Sequence, residues 1–200
     1  MHSSGQNHAI FLSWADKYLC GEQYLENTDK KGWNIDLAQF RAQNDVTRAF
    51  GVPSNAISTF VPFRHKGMLA VAGLHDISTY GAHHHRFQED VFGYKPFLLA
   101  TSKFGTYNAT FIPYYNNRGL ITTDESKQHF ASGWLKKGRL LVQASNLNWE
   151  DGEVSVKLDI AKLGLKGRAT DAVSGKPVTV VNGTLTLPVP AYDARLILVE

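Results

Sequence analysis

Residues 15–24 read ADKYLCGEQY, and this stretch decides how the first half of the chain is interpreted. Its apolar centre, YLC at residues 18–20, predicts a short buried strand. Gly21 then allows a sharp turn, and Glu22 follows where a parallel sheet opens its carboxyl edge. The pattern predicts a strand that delivers a carboxylate to a site. An equally open alternative is that Glu22 caps the next segment or pairs with a nearby lysine.

The composition is that of an ordinary globular protein. The 200 residues are 43% apolar and 20% charged, which is enough for one large or two modest domains. The net charge is +3, but the basic residues are scattered, without a run of Lys and Arg interleaved with aromatics. We therefore expect no nucleic-acid partner. No apolar run reaches the length of about 18 residues that spans a bilayer, so we expect no membrane span.

The sequence points to no cofactor and no metal. It contains no glycine-rich phosphate loop and no G-x-S-x-G motif. Cys20 is the only cysteine, so no disulfide forms within the chain. Residues 83–85 are three adjacent histidines, and adjacent side chains point in different directions on a helix or a strand. A zinc site would need a spaced partner such as His75, and we do not predict one.

The first half, residues 1–105, alternates strand-like and helix-like segments. Asp36 is placed to cap a helix, with a glutamine three residues later. Residues 56–61 and 67–74 are apolar runs that predict parallel strands buried on both faces, and residues 86–102 predict a further helix. A complete (β/α) barrel needs about 200 residues or more. The pattern therefore predicts an incomplete, C-terminal portion of a barrel.

The second half, residues 106–200, predicts an antiparallel β-sandwich. Short, mostly alternating segments are separated by glycine-bearing turns, and Asn182-Gly183 between VTVV and TLTL predicts a two-residue hairpin. The eight predicted strands are residues 110–114, 129–135, 139–145, 153–158, 167–173, 177–181, 184–188 and 194–199.

Two acids follow apolar runs and are the predicted catalytic pair: Glu22 after YLCG and Asp76 after LAVAGLH. Carboxylates on neighbouring barrel strands converge on one mouth, and cleavage of a glycosidic bond uses two of them. One protonates the leaving oxygen, and the other attacks the sugar or activates water. Asp16 is a third candidate, but it precedes its apolar run and so points to the opposite end.

The predicted substrate-binding residues surround these acids. His75 is placed to hydrogen-bond a sugar hydroxyl or the ring oxygen. His2, in the polar loop HSSGQ, and Asp16 and Tyr24, which flank Glu22, complete the set. The alternative for His75 is structural: with Asp76, it would only fix the loop that follows its segment.

Several motifs together resemble the C-terminal part of a glycoside hydrolase. They are HSSG, WADKYLCGEQY, FGVP, GMLAVAGLHD, GRLLVQASNLNWEDGEVSVKLD, ATDAVSGKPV and YDARLILVE. The first half is most similar to the family-123-like barrels of bacterial glycan degraders, in which an aspartate followed by Gly-Glu closes a late strand. A looser likeness is to the α-amylase family. Its catalytic Gly-Glu would fall on residues 21–22 and its Asn-His-Asp on residues 74–76, where leucine replaces the asparagine.

The resemblance implies a fragment of a carbohydrate-active hydrolase that uses paired carboxylates, without a cofactor, on an oligosaccharide, polysaccharide or glycoconjugate. The amylase likeness would place the strand with the nucleophilic aspartate before Met1, so this piece alone would be inactive. Relatedness to glycan degraders implies a periplasmic or secreted protein, although residues 1–14 lack the pattern of a signal peptide. The sugar, the linkage and the oligomeric state stay open.

A different class of function is also open: a non-catalytic carbohydrate-binding or accessory β-sandwich. Such a module would present exposed aromatic rings to sugar rings. The candidates for this row are Tyr107, Tyr114, Tyr115, Trp134 and Trp149.

Overall fold

The structure is a computed structural model that describes residues 18–20, 35–42, 54–58, 62–81 and 94–200. The helices are α1 (residues 37–42), α2 (Pro62–Gly73), α3 (Tyr94–Phe104) and α4 (Ile160–Leu163). The first seven strands are β1 (Tyr18–Cys20), β2 (Ser54–Ser58), β3 (Ser78–Gly81), β4 (Thr110–Ile112), β5 (Ile121–Thr122), β6 (His129–Lys136) and β7 (Arg139–Asn146). The remaining strands are β8 (Gly152–Leu158), β9 (Ala169–Asp171), β10 (Pro177–Val178), β11 (Val180–Val181), β12 (Thr184–Val189) and β13 (Asp193–Val199).

Strands β1, β2 and β3 form a parallel sheet in that order. Cys20 pairs with Ala56, and Ala56 pairs with Thr79, so the three strands lie in register. Helix α2 connects β2 to β3 and packs on both. The predicted strand at residues 18–20 is confirmed, and the strand predicted for residues 56–61 overlaps β2 at residues 56–58, where the description of this segment ends. The parallel pairing of the two strands is also confirmed.

The strand predicted for residues 67–74 is wrong, because residues 67–73 belong to α2. This helix lies between the parallel sheet and the strands β7 and β13 of the sandwich, so both of its sides are covered. Met68 through Leu74 are therefore apolar without a helical stripe, and all but Gly73 are buried. A continuous apolar run reads the same whether it forms a buried strand or a helix buried on all sides.

Two other helices agree with prediction where they are described. The Asp36 carboxylate accepts a hydrogen bond of 2.8 Å from the backbone N–H of Gln39, so the predicted cap of α1 is confirmed. Helix α3 covers the end of the predicted segment and extends to Phe104. Gly105 follows in the left-handed conformation (φ 75°), and the Lys136 ammonium donates to the Phe104 carbonyl at 2.7 Å.

The second half is an antiparallel sandwich, as predicted. One sheet has the order β10-β9-β13-β7-β6-β4 and the other β11-β12-β8-β5. The predicted strand 177–181 breaks at Thr179, so that β10 lies in the first sheet and β11 in the second. Strand β5 and helix α4 were not predicted from the sequence. Among the described residues, no helix is long and apolar enough to cross a membrane.

The six-stranded sheet is covered on both faces. In β7, Leu140, Val142 and Ala144 face the core between the two sheets. The alternate residues of β7 face the other way, where Leu141 packs near α3 and Gln143 and Ser145 contact α2. All of these residues are buried. The sandwich is therefore a structural partner of α2 as well as a sheet pair with its own core.

The Asn182-Gly183 turn is confirmed as the hairpin between β11 and β12. Both residues have positive φ, 50° and 76°, as a type I′ turn requires. The Gly183 carbonyl also accepts a hydrogen bond of 2.8 Å from Leu158 N, and a Cβ at Gly183 would lie 2.7 Å from the Leu158 carbonyl oxygen. The turn is thus attached to the end of β8.

We expect Gly183→Ala to lower the free energy of unfolding by about 2–3 kcal/mol, because it adds a backbone clash to the strain of a left-handed alanine. Gly175→Ala is the matched control, since Gly175 also has positive φ (72°) but no heavy atom near its Cβ position. The control should cost about 1–2 kcal/mol. Urea unfolding of both variants measures the difference, and equal losses would contradict this account of the contact.

Candidate functional site

The carboxyl edge of the parallel sheet is the candidate site. The strands β1, β2 and β3 end there at Cys20, Ser58 and Gly81. Open parallel sheets and barrels bind their ligands at this edge, where loops leave the strand ends. Glu22 follows β1 by two residues in the sequence. The structure therefore supplies the strands of the edge, whereas the side chains that follow them lie outside the described residues.

Four predicted site residues lie outside the described residues: Glu22, Tyr24, Asp16 and His2. Their roles stay predictions. The structure does describe the other two predicted site residues, His75 and Asp76.

Asp76 lies in the loop between α2 and β3, two residues before β3 begins. It is therefore at the amino edge of the parallel sheet, opposite the edge where β1 ends at Cys20. Its Oδ1 accepts a hydrogen bond of 2.7 Å from Nε1 of the buried Trp134. The predicted pairing of Asp76 with Glu22 requires Asp76 to follow a strand. Asp76 follows helix α2 instead, so it does not lie at the edge where Glu22 is predicted.

The His75 side chain is fully buried at the junction between α2 and the sandwich. Its Nδ1 lies 2.9 Å from the Val71 carbonyl, which can only accept, so in the neutral ring Nδ1 carries the proton. Nε2 then accepts from the Tyr114 hydroxyl at 3.4 Å. The rings of Phe40 and Tyr115 lie 5.0 and 6.1 Å away. Burial keeps His75 from a sugar, and these contacts match the alternative that it fixes the adjoining loop.

A row of buried polar side chains on β6 and β7 was not predicted from the sequence. This polar row consists of Ser132, Gln143 and Ser145, all fully buried. Ser132 Oγ donates to the Leu74 carbonyl at 2.8 Å. Gln143 Nε2 and Ser145 Oγ each donate to the Ala70 carbonyl at 2.9 Å. The signal was present as QAS inside the apolar strand RLLVQASN, because buried polar groups need partners.

An ion pair also joins α2 to the sandwich. Lys66 of α2 forms an ion pair of 3.4 Å with Asp193, at the start of β13. The Lys66 side chain is partly exposed, so this pair adds little to stability. Within the sandwich half itself, the Tyr192 ring packs against Trp149 with centroids 4.2 Å apart, and burial raises the pKa of Tyr192 to about 12. The phenol therefore stays protonated at neutral pH.

The five aromatic residues proposed for a binding module do not form an exposed row. Trp134 is buried, with 3% of its surface exposed, whereas Tyr107 is 89% exposed. Tyr114 and Tyr115 pack on each other at 5.1 Å, beside His75. Trp149 packs on its tyrosine neighbour as described above. One exposed ring does not make the stacking platform that this alternative requires.

Two open clefts on the sandwich carry no paired carboxylates. The first, of about 520 Å³, has Asp159 as its only acidic lining residue, and this carboxylate is 2.9 Å from the Lys162 ammonium. The second, of about 880 Å³, is lined on its charged side by Lys136, Lys137 and Lys162. Within the described part of the chain, no three His, Cys, Asp or Glu side chains could hold a metal together.

His129 gives the sandwich a dependence on pH. Burial lowers the pKa of His129, Lys127 lowers it further, and Asp124 opposes both. A histidine with a lowered pKa in the folded state binds its proton more readily when unfolded, where its pKa is about 6.5. Its contribution to stability is therefore full above pH 6.5. That contribution decreases as the pH falls from there to the lowered folded-state value.

We expect His129→Gln to flatten the loss of stability between pH 7.5 and pH 5. Urea midpoints of the wild type and the variant at several pH values in this window measure the effect. If the urea midpoints of the two proteins fall in parallel as the pH is lowered, a group other than His129 causes the loss of stability in acid.

Several solved structures have a fold similar to that of this chain. A noncanonic maltogenic α-amylase from Thermotoga neapolitana matches 98% of the chain with a TM-score of 0.63 and 11% identity. A GH27 β-L-arabinopyranosidase from Geobacillus stearothermophilus matches 99% with a TM-score of 0.60 and 11% identity, and an Anoxybacillus α-amylase matches 100% with a TM-score of 0.55 and 9% identity. The chain therefore has a fold similar to parts of these three enzymes. No protein-family model and no curated protein matches the sequence.

The resemblance to glycoside hydrolases predicted from the sequence is thus confirmed at the level of the fold. The chain spans about half the length of these enzymes: 54% of the Thermotoga amylase, 48% of the arabinopyranosidase and 51% of the Anoxybacillus amylase.

Proposed function

We propose that this chain is part of a carbohydrate-active hydrolase. Residues 1–105 would supply the C-terminal portion of a (β/α) barrel, and residues 106–200 the β-sandwich that follows it. The single observation that carries the proposal is that the same solved structures match both halves of the chain. The matches to glycoside hydrolases include both the parallel unit β1–β3 with α2 and the antiparallel sheets, since they extend over 98–100% of the chain.

In this proposal Glu22 acts at the carboxyl edge of the parallel sheet. Covalent geometry keeps its Cα within about 7 Å of Cys20, the last residue of β1. A carboxyl group there would protonate the glycosidic oxygen as the bond to the anomeric carbon breaks. A second carboxylate would then attack that carbon or activate water. Asp76 lies at the other edge, so we assign the second role to an acid outside the described residues.

The remaining predicted residues have different places in the proposal. Tyr24, close to Glu22 in the sequence, is suited to stack on a sugar ring, and His2 is retained as a polar substrate contact. Asp16 precedes β1 by two residues, which places it on the amino side of that strand. A substrate contact by Asp16 would therefore be made away from the carboxyl edge. His75 is not retained as a substrate ligand, because its ring is buried.

The substrate class is taken from the enzymes of the same fold. An AmyP variant was solved with maltotriose and matches this chain with a TM-score of 0.53. A variant of the arabinopyranosidase was solved with arabinose, with a TM-score of 0.59. We propose an oligosaccharide or polysaccharide substrate, with α-glucans as the first to test.

The test is an assay of the protein that contains these 200 residues on maltooligosaccharides, starch and aryl glycosides, including an arabinopyranoside. Release of reducing sugar or of the aryl alcohol is the expected result. Binding of the same sugars without hydrolysis of any would favour the non-catalytic alternative. A protein that neither binds nor hydrolyses any of these sugars would overturn the proposal.

A further inference from the structure

We propose that Gln143, a sandwich residue, is a positioning residue for α2 and thereby for β3, the strand that follows α2. Because β3 ends at the proposed carboxyl-edge site, Gln143 would act on that site from the far side of α2. The inference rests on the proposed function for its kinetic consequence only. Its structural consequence can be measured without any activity.

The contacts of Gln143 fix the end of α2. Its Nε2 donates to the carbonyls of Ala70 at 2.9 Å and Leu69 at 3.3 Å, and lies 3.1 Å from Ser145 Oγ. The helix tightens just beyond, where Leu74 N donates to the Val71 carbonyl. The carbonyls of Val71, Ala72 and Gly73 accept from the backbone N–H groups that follow them, and the sandwich side chains bind the carbonyls just before these. Sliding or rotation of α2 would break these hydrogen bonds.

The fit between Gln143 and Gly73 is steric as well as polar. A Cβ at Gly73 would lie 2.6 Å from Cδ and 2.8 Å from Nε2 of Gln143, so no larger residue fits while the amide is there. The amide Oε1 faces this glycine and has no hydrogen-bond partner. A buried acceptor without a partner opposes folding. The Gln143 amide therefore fixes α2 through Nε2, while its unpartnered Oε1 adds nothing to stability.

The attachment continues from α2 to the entrance of β3. Ser132 binds the Leu74 carbonyl, and Trp134 binds Asp76, two residues before β3. The sandwich thus holds the chain at residues 69, 70, 74 and 76 in succession. Gln143 is therefore the first of a series of sandwich contacts that leads to Ser78, the first residue of β3.

A double-mutant cycle tests the steric part. Gly73→Ala should lower the unfolding temperature in the native background, because its methyl group meets the Gln143 amide. In the Gln143→Ala background the same change should lower it much less, because the amide is gone. An equal effect of Gly73→Ala in both backgrounds would overturn the fit between these two residues.

Amide hydrogen exchange tests the positioning. In Gln143→Ala, and in Gln143→Met, which keeps the length but has no donor, the β3 amides should exchange about tenfold faster. The amides of β8 and β12 should not change. Ser155→Ala is the matched control, since Ser155 lies on β8 and binds Thr186 on the exposed sheet face. Unchanged β3 exchange in both Gln143 variants would overturn the proposal, as would equal acceleration across the whole sandwich.

Enzyme kinetics test whether the placement of β3 by Gln143 affects the proposed site. Gln143→Met should lower kcat about tenfold at nearly constant KM, because a displaced strand end misplaces reacting groups more than it weakens sugar binding. A change in KM alone, or none in either constant, would overturn the action on the site. If the wild type hydrolyses no glycoside, the proposed function fails, while the exchange experiment still decides whether Gln143 positions β3.

Discussion

Replacing Glu22 by glutamine is expected to lower kcat by about 10²–10⁴, because glutamine cannot donate or accept the proton that acid–base catalysis requires. Substrate binding should change little, because the amide keeps the shape of the carboxyl group. Steady-state kinetics on the best sugar from the glycoside panel measures both constants. Glu26→Gln is the matched control, being the same change four residues later in a stretch with no predicted role.

The pH profile separates catalysis from fold damage. The wild type should lose activity as the acid form of Glu22 is titrated with rising pH, and that alkaline limb should disappear in Glu22→Gln. Equal kcat values for Glu22→Gln and Glu26→Gln would remove Glu22 from the mechanism.

Asp76→Ala is expected to lower the free energy of unfolding by about 2–4 kcal/mol. Two causes add: the buried Trp134 N–H loses its acceptor, and residue 76 has φ 56°, which alanine adopts poorly. Asp76→Asn keeps an acceptor oxygen and suits the left-handed conformation, so it should cost less than about 1 kcal/mol. Urea unfolding of the two variants measures the difference.

The same pair of variants decides between the two roles of Asp76. If Asp76 only accepts the Trp134 hydrogen bond, kcat of Asp76→Asn should stay within about twofold of the wild type. If Asp76 is a catalytic carboxylate, kcat should fall by about 10² or more. Normal stability with a large loss of kcat in Asp76→Asn would restore Asp76 to the catalytic pair.

Local signals in the sequence were the most reliable guides to the fold. The Asp36 cap and the Asn182-Gly183 turn depend on side-chain and φ requirements of a few neighbouring residues, and both are found as predicted. Alternation of polar and apolar residues likewise located the sandwich strands. These features do not depend on what the rest of the chain covers.

The errors arose where burial is set by distant parts of the chain. Residues 67–74 read as a strand because a helix enclosed by two sheets loses its polar face. That one error also misplaced Asp76, from a strand end at the candidate site to a loop at the opposite edge. The switch at Thr179 from one sheet to the other depends on pairing partners far away in sequence. Neither could be predicted from local pattern.

The site residues show the same difference between local and long-range signals. Glu22 was predicted from its place after an apolar segment, and the strand that precedes it is present and parallel to its neighbour. The polar row was missed because Gln143 and Ser145 lie in a strand whose second face is covered only after α2 docks. Their chemistry becomes clear only from the helix carbonyls they bind.

A crystal structure of the protein with a bound maltooligosaccharide tests the central claim most directly. We predict that the sugar lies at the carboxyl edge of the parallel sheet, beside the ends of β1, β2 and β3, with the Glu22 carboxyl group near a glycosidic oxygen. A sugar bound at the opposite edge beside Asp76, or on the sandwich around Tyr107, would contradict the account.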